Sequence, residues 1–233
     1  MASFGRDWLG NLQEASRLEW LVTNGLGGYA SSTEIGMNTR RYHGVLTASR
    51  RPPTERIVLV SRLYESLLID GSEVFLSTNR YQKAVSPAGY LHLEKFERNP
   101  LPTWTWQIDD LLITKTLFMV QGHNTTVITY KVFSNGRAVD FRIRPHFLFR
   151  DFHGNTFENP GFEDNTTVSE NGLWLRQFAN APTAFMWWDR GNFTKEAYWY
   201  KDNALLEEER RGLNSFEDDY SNGYLQVSRL QGT

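Results

Sequence analysis

Apolar residues along this chain fall into short alternating or continuous blocks separated by pairs of turn-forming residues, and seldom at the three-to-four spacing of an amphipathic helix. Residues 57–60 (IVLV) and 67–69 (LLI) are apolar runs, and the second is followed by Asp70-Gly71 and then residues 74–76 (VFL). An Asp-Gly pair between β-prone runs predicts a hairpin, because a type I′ turn needs positive φ at both central residues. The same grammar recurs. Residues 104–108 lead through Asp109-Asp110 into 111–120, and residues 127–133 run through Ser134-Asn135-Gly136-Arg137 into 139–143. Asn171-Gly172 separates residues 167–169 from 173–175, and residues 184–188 precede 198–200 across Arg190-Gly191-Asn192. Strands at short spacing, divided by turn chemistry, predict an all-β fold, an antiparallel β-sandwich of at least four hairpins with little helix. The one helical signal is residues 204–211, closed by Gly212. Residues 51–54 (RPPT) read as a loop and residues 224–230 as a last strand. No linker composition and no 20-to-50-residue repeat appears, so residues 1–233 are expected to form a single domain.

Composition narrows the function classes. The absence of cysteine removes disulfides, thiolate metal sites and cysteine nucleophiles together, and permits a reducing compartment. A net charge of −2 offers a polyanion no bulk attraction, so nucleic acid is not an expected partner. No basic segment followed by an apolar run opens the chain and no 18-residue apolar stretch occurs, so neither membrane association nor secretion is expected and the chain reads as cytoplasmic. The sequons at Asn124, Asn165 and Asn192 carry no weight without a secretory context. Aromatic residues make up 14% of the chain, a content that suits a large sheet core and equally a sugar-binding surface.

Three segments carry candidate chemistry. Gly25, Gly27 and Gly28 lack the GxGxxG spacing and no Lys-Ser or Lys-Thr follows, so they are expected to allow close backbone approach in a turn rather than to cradle phosphate; no cofactor is expected. Asn38, Arg40, Arg41, Tyr42 and His43 combine donors, acceptors and a stacking face. On a strand, Arg40 and Tyr42 would share one side and Arg41 and His43 the other. Each arginine then needs a carboxylate, a carbonyl or a ligand. The alternatives are a structural ion pair and contact with a polyhydroxylated substrate. Arg150, Asp151 and His153 could be a strand-end salt bridge or an acid-base group, and no spacing typical of a metal site joins His146 and His153. Glu163, Asp164, Glu207, Glu208, Glu209, Glu217, Asp218 and Asp219 supply carboxylates, of which the run 207–209 reads as a solvated face. A glycosidase needs two carboxyl groups across the scissile bond, a separation that sequence does not reveal.

The stretch EWLVTNGLGGYASSTEIGMNTRRYHGVLTA, with FLFRDFH, ERRGL and FEDDYSNG further on, resembles the N-terminal domain of bacterial and archaeal glycogen debranching enzymes of the amylo-α-1,6-glucosidase type, from about Leu18 to the end. The resemblance implies a β-supersandwich and a parent enzyme in which a following (α/α)₆ toroid, absent from this chain, carries the catalytic acid and base and cleaves α-1,6-linked glucose at glycogen branch points. It also implies that this segment has no catalytic residue of its own. The partners so implied are that catalytic toroid and glycogen or branched maltodextrin, with Asn38, Arg40, Arg41, Tyr42, His43, Arg150, Asp151 and His153 as substrate-contacting candidates near the toroid. A self-sufficient sandwich glycosidase and a purely structural domain are the alternatives.

Overall fold

A computed structural model describes residues 3–230. The chain opens with β1 (Ser3–Gly5) and two single-turn helices, α1 (Arg6–Leu9) and α2 (Leu12–Ala15). A meander follows: β2 (Glu19–Thr23), β3 (Tyr29–Thr33), β4 (Gly44–Arg51), β5 (Thr54–Ile69) and β6 (Ser72–Phe75). Next come the short pair β7 (Thr78–Arg80) and β8 (Val85–Ala88), then β9 (Leu93–Glu97), β10 (Thr103–Ile108), β11 (Leu111–Met119), β12 (Thr126–Phe133) and β13 (Val139–Asp151). The last third holds β14 (Thr167–Ser169), β15 (Gly172–Leu175), β16 (Ala184–Trp187), β17 (Asn192–Ala204), α3 (Leu206–Arg210) and β18 (Phe216–Leu230).

Among the described residues the strands pair antiparallel. A large sheet runs β17-β18-β13-β5-β4-β3-β2 with β6 on β5, a five-stranded sheet runs β1-β9-β10-β11-β12, and β14-β15-β16 form a third. The all-β sandwich expected from the alternating pattern is therefore present. The five-stranded sheet contributes Phe96, Trp104, Trp106, Ile113 and Leu117 to a core shared with Leu67, Phe141, Ile143 and Leu225 of the large sheet. Alternation explains the sidedness, since every second residue of β10 and of the first half of β13 is buried. Glu65 crosses this core to pair with Lys115 and accepts from the Tyr130 hydroxyl at 2.8 Å, so the two layers are also joined by a shielded polar contact. The three-stranded sheet puts Leu173, Leu175 and Ala184 into a second core with Ile57, Leu59, Phe147 and Tyr220. Between β12 and β16 lies an open cleft of about 1450 Å³ floored by Leu46, Leu59, Phe141 and Phe147. Among the described residues no helix is long and apolar enough to cross a membrane.

Two expected hairpins are something else. Residues 127–133 and 139–143 are consecutive strands, but β12 pairs with β11 and β13 with β5 and β18, so the Ser134–Arg137 turn carries the chain from one sheet to the other. Likewise β16 pairs with β15 while β17 pairs with β18. Turn residues reverse a chain whether the next strand lies beside the last or across the core from it, so the turn itself does not distinguish the two. The runs 57–60 and 67–69 belong to one strand, β5, whose intervening polar residues are largely buried. The Asp70-Gly71 and Asp109-Asp110 turns form as expected, with positive φ at Asp70, Gly71 and Asp109. Residues 204–211 do hold a helix, the single turn of α3.

Candidate functional site

The three motif segments meet at the end of β13. Asn38 to His43 do not form a strand: the chain turns there, with the His43 N–H donating to the Arg40 carbonyl at 3.1 Å. The expectation that Arg40 and Tyr42 face one side and Arg41 and His43 the other therefore fails, because a turn lacks the two-residue alternation. Arg41 packs inward, its Nε 3.2 Å from buried Glu208 on α3, its Nη1 donating to the His153 carbonyl at 2.6 Å. Arg150 is buried. It donates to both carboxylate oxygens of Glu217, at 2.8 and 3.3 Å, and from Nη2 to the Arg41 carbonyl at 2.7 Å. A bulge in β13 between Phe147 and Arg150, with Phe149 at φ 52°, places the guanidinium there. Positive φ is uncommon for a bulky residue, and bulges re-aim the side chains that follow them.

Above these ion pairs lie aromatic groups. The Tyr42 hydroxyl is 3.2 Å from His153 Nδ1, and its ring meets Phe152 edge-on at 5.5 Å between centroids. Arg56 caps Phe152 at 5.3 Å and donates from Nε to the Gly27 carbonyl at 2.6 Å, which ties the glycine loop to the same corner. A Cβ on Gly27 would lie 2.6 Å from the Pro53 carbonyl oxygen, so this glycine does serve close backbone approach. Asp151 accepts the His153 N–H at 2.8 Å, which fixes the turn carrying the imidazole.

Arg40 lies at the rim, donating from Nε to Glu19 Oε1 at 2.6 Å. His43 is buried, and its Nδ1 accepts the Thr39 N–H at 3.0 Å, so the ring proton sits on Nε2, 3.5 Å from the same Glu19 oxygen. Partial burial alone would raise the Glu19 pKa, but His43 and Arg40 outweigh it and hold the group at about 2. Asn38 stands apart. It accepts from Ser32 Oγ at 2.7 Å and donates to the Ser61 carbonyl at 3.0 Å, deep in the sheet.

Glu19, Phe152 and Arg56 complete the corner without having been singled out as site residues, and Glu208 and Glu217, marked in the sequence only as carboxylates, join it. Glu208 corrects the expectation of a solvated acidic face over 207–209, because α3 turns it inward onto Arg41. Charge runs read from sequence carry no information on which member faces the protein. Arg150 pairs with Glu217 and not with Asp151, so the acid-base group considered for Arg150, Asp151 and His153 does not form.

Residues 18–233 match the family model described as glycogen debranching enzyme N terminal. The chain belongs to that family. No curated protein matches it. In this glycogen debranching enzyme N-terminal domain the FEDDYSNG block is a structural seam. Glu217 holds Arg150, Asp218 accepts the N–H groups of Glu158 and Asp202 at 2.9 and 3.0 Å, and Asp219 accepts from Ser61 Oγ at 2.9 Å. Asp219 lies 3.0 Å from Arg62 Nε and 3.0 Å from His146 Nδ1, all three groups being buried. Burial alone would raise the Asp219 pKa, but Arg62, His146 and Ser61 bring it to about 2, while burial pushes His146 below the ordinary histidine range. His146 is enclosed by the rings of Tyr64 and Tyr200, at 4.2 and 4.4 Å, and shares no contact with His153.

Proposed function

We propose that this domain is the glucan-contacting and domain-packing module of a glycogen debranching enzyme, and that the corner of Tyr42, Phe152 and His153 contacts the glucan where the domain meets the catalytic part of the parent enzyme. The observation that carries this reading is the convergence of three distant sequence blocks on one corner where arginine–carboxylate pairs form the base and aromatic edges with an imidazole form the outer layer. Sugars are held by planar hydrogen-bonding groups beside an aromatic face, and affinity is modest because sugar hydroxyls pair well with water. Hydrolysis requires a carboxylic acid kept protonated near neutral pH opposite a second carboxylate. Here Glu208 and Glu217 are committed to arginines and Glu19 is held at about 2, which favours binding over bond cleavage at this corner.

The test uses glycogen affinity electrophoresis together with an assay of glucose release from branched limit dextrin. The protein should be retarded by glycogen and release no glucose. Tyr42→Ala and Phe152→Ala should each weaken retention several-fold with the melting temperature little changed. Glucose release by the purified protein, abolished by a single Asp or Glu substitution, would replace this reading with that of a self-sufficient glycosidase.

A further inference from the structure

The sheet β14-β15-β16 has one face on the second core and one in solvent, and its solvent face is the reverse of what alternation normally gives. The inward positions hold Val168, Leu173, Leu175, Ala184 and Met186. Directly between them, pointing outward, stand Trp174, Phe185 and Trp187, exposed to 40%, 53% and 70%. Trp174 and Phe185 are cross-strand partners, and Trp187 faces Gly172. Large rings at solvent positions of a strand expose apolar area that a polar residue would not, and contiguous patches of this kind mark binding surfaces.

We propose that this face is a second glucan-binding site, on which the pyranose rings of an α-glucan chain stack against Phe185 and Trp187 with Trp174 as a further contact. The arrangement of the rings supports a ligand with flat, weakly apolar faces. Phe185 and Trp187 have planes within 4° of each other and centroids 5.4 Å apart, so the two rings stack on one another and a sugar ring meets the outer side of that stack. Gly172 opposite makes room for the Trp187 indole: a Cβ there would lie 2.9 Å from Trp187 Cδ1, so the ring packs against the strand in space that any other residue would fill. A pre-set aromatic surface gives up little conformational entropy on binding, which matters for a weakly bound ligand.

The polar groups of the face fix the chemistry further. Its strand positions are Thr167, Ser169, Gly172, Trp174, Phe185 and Trp187, two hydroxyls and no charge, while the cleft that Phe185 and Trp187 also line carries Arg50, Lys131, Asp189 and Arg190. The ligand that matches the strand positions is neutral, hydroxyl-bearing at its edges and able to cover aromatic faces, and the charged groups of both signs in the adjoining cleft can bond hydroxyls at its edge. That the polyol is an α-glucan rests on the glucan-contacting role proposed above. The site itself is distinct from the Tyr42 corner, with which it shares no residue.

Glycogen affinity electrophoresis and tryptophan fluorescence titration with linear maltodextrin test the platform. Trp187→Ala and Phe185→Ala should each weaken glycogen retention about tenfold, the scale of one lost stacking contact. Gly172→Ala keeps all three rings, displaces the indole and should weaken retention by a smaller factor. The exposed rings can be removed without opening the core, so melting temperatures should stay close to that of the unchanged protein. Retention lost in Tyr42→Ala and Phe152→Ala but intact in the platform variants overturns this site and leaves the corner standing. Loss in the platform variants alone supports it and removes the corner from glucan contact. No retention of the unchanged protein overturns both. A change in oligomeric state on Trp187→Ala with glycogen retention unaltered also overturns it, assigning the face to protein contact.

Discussion

Two clusters in this domain are built from the same chemistry, arginine, histidine, carboxylate and tyrosine, and differ in where the backbone places them. Arg62, His146 and Asp219 project from the middle of long strands and are covered by Tyr64 and Tyr200. Arg41, Arg150, Glu208 and Glu217 lie where β13 ends, and the turns that follow leave Tyr42 and His153 at the surface. In the first cluster the Arg62 and Asp219 charges answer each other inside the protein, although Arg62 Nη2 and His146 Nε2 are buried without a hydrogen-bond partner, and removal of Asp219 leaves Arg62 in an uncompensated interior. In the second the ion pairs are a base, and what lies above them is free to meet something else. Residue type alone does not separate a covered ion cluster from one at the surface; the covering layer does.

Asp219→Ala, which strands the Arg62 guanidinium, should have the largest effect. Urea unfolding should show a loss of about 3–5 kcal/mol, the range for orphaning one member of a buried pair. Arg150→Ala should follow at about 3 kcal/mol by leaving Glu217 buried without its partner, the result expected if the base of the corner is structural. A smaller loss, equal to that of exposed pairs, would mean that water reaches these groups.

Acid sharpens the difference. The His146 pKa is lowered in the folded state, so below about 6.5 the unfolded chain takes up this proton first and stability falls with pH. The Asp219 pKa is also lowered, to about 2, so its contribution is complete above about 3.9 and is lost as pH falls toward 2. Urea unfolding at a series of pH values should therefore show two declining stretches, and Asp219→Asn should shrink the lower one while leaving the part that Glu19, also held at about 2, contributes. The smallest effect is expected at the rim. Arg40→Ala should change stability by about 1 kcal/mol or less, as for partly exposed pairs, and a loss as large as that of Asp219→Ala would erase the distinction drawn here.

Sequence made the strands legible because β propensity, two-residue alternation and turn chemistry are local: the hairpins at Asp70-Gly71 and Asp109-Asp110, the glycine packing at Gly27 and the helix closed by Gly212 all follow from neighbouring residues. It also marked most of the corner, since unpaired arginine beside histidine and tyrosine is costly to place anywhere without a reason. Family membership was readable from the same blocks. The sheet to which β12 and β13 belong, the inward turn of Glu208, the pairing of Arg150 with Glu217 and the outward row of Trp174, Phe185 and Trp187 were decided by tertiary structure. Each depends on what lies across a sheet or at the far end of the chain, and burial, which decides whether a charge becomes an interior pair and whether an aromatic ring stays exposed, is a property of the assembled layers.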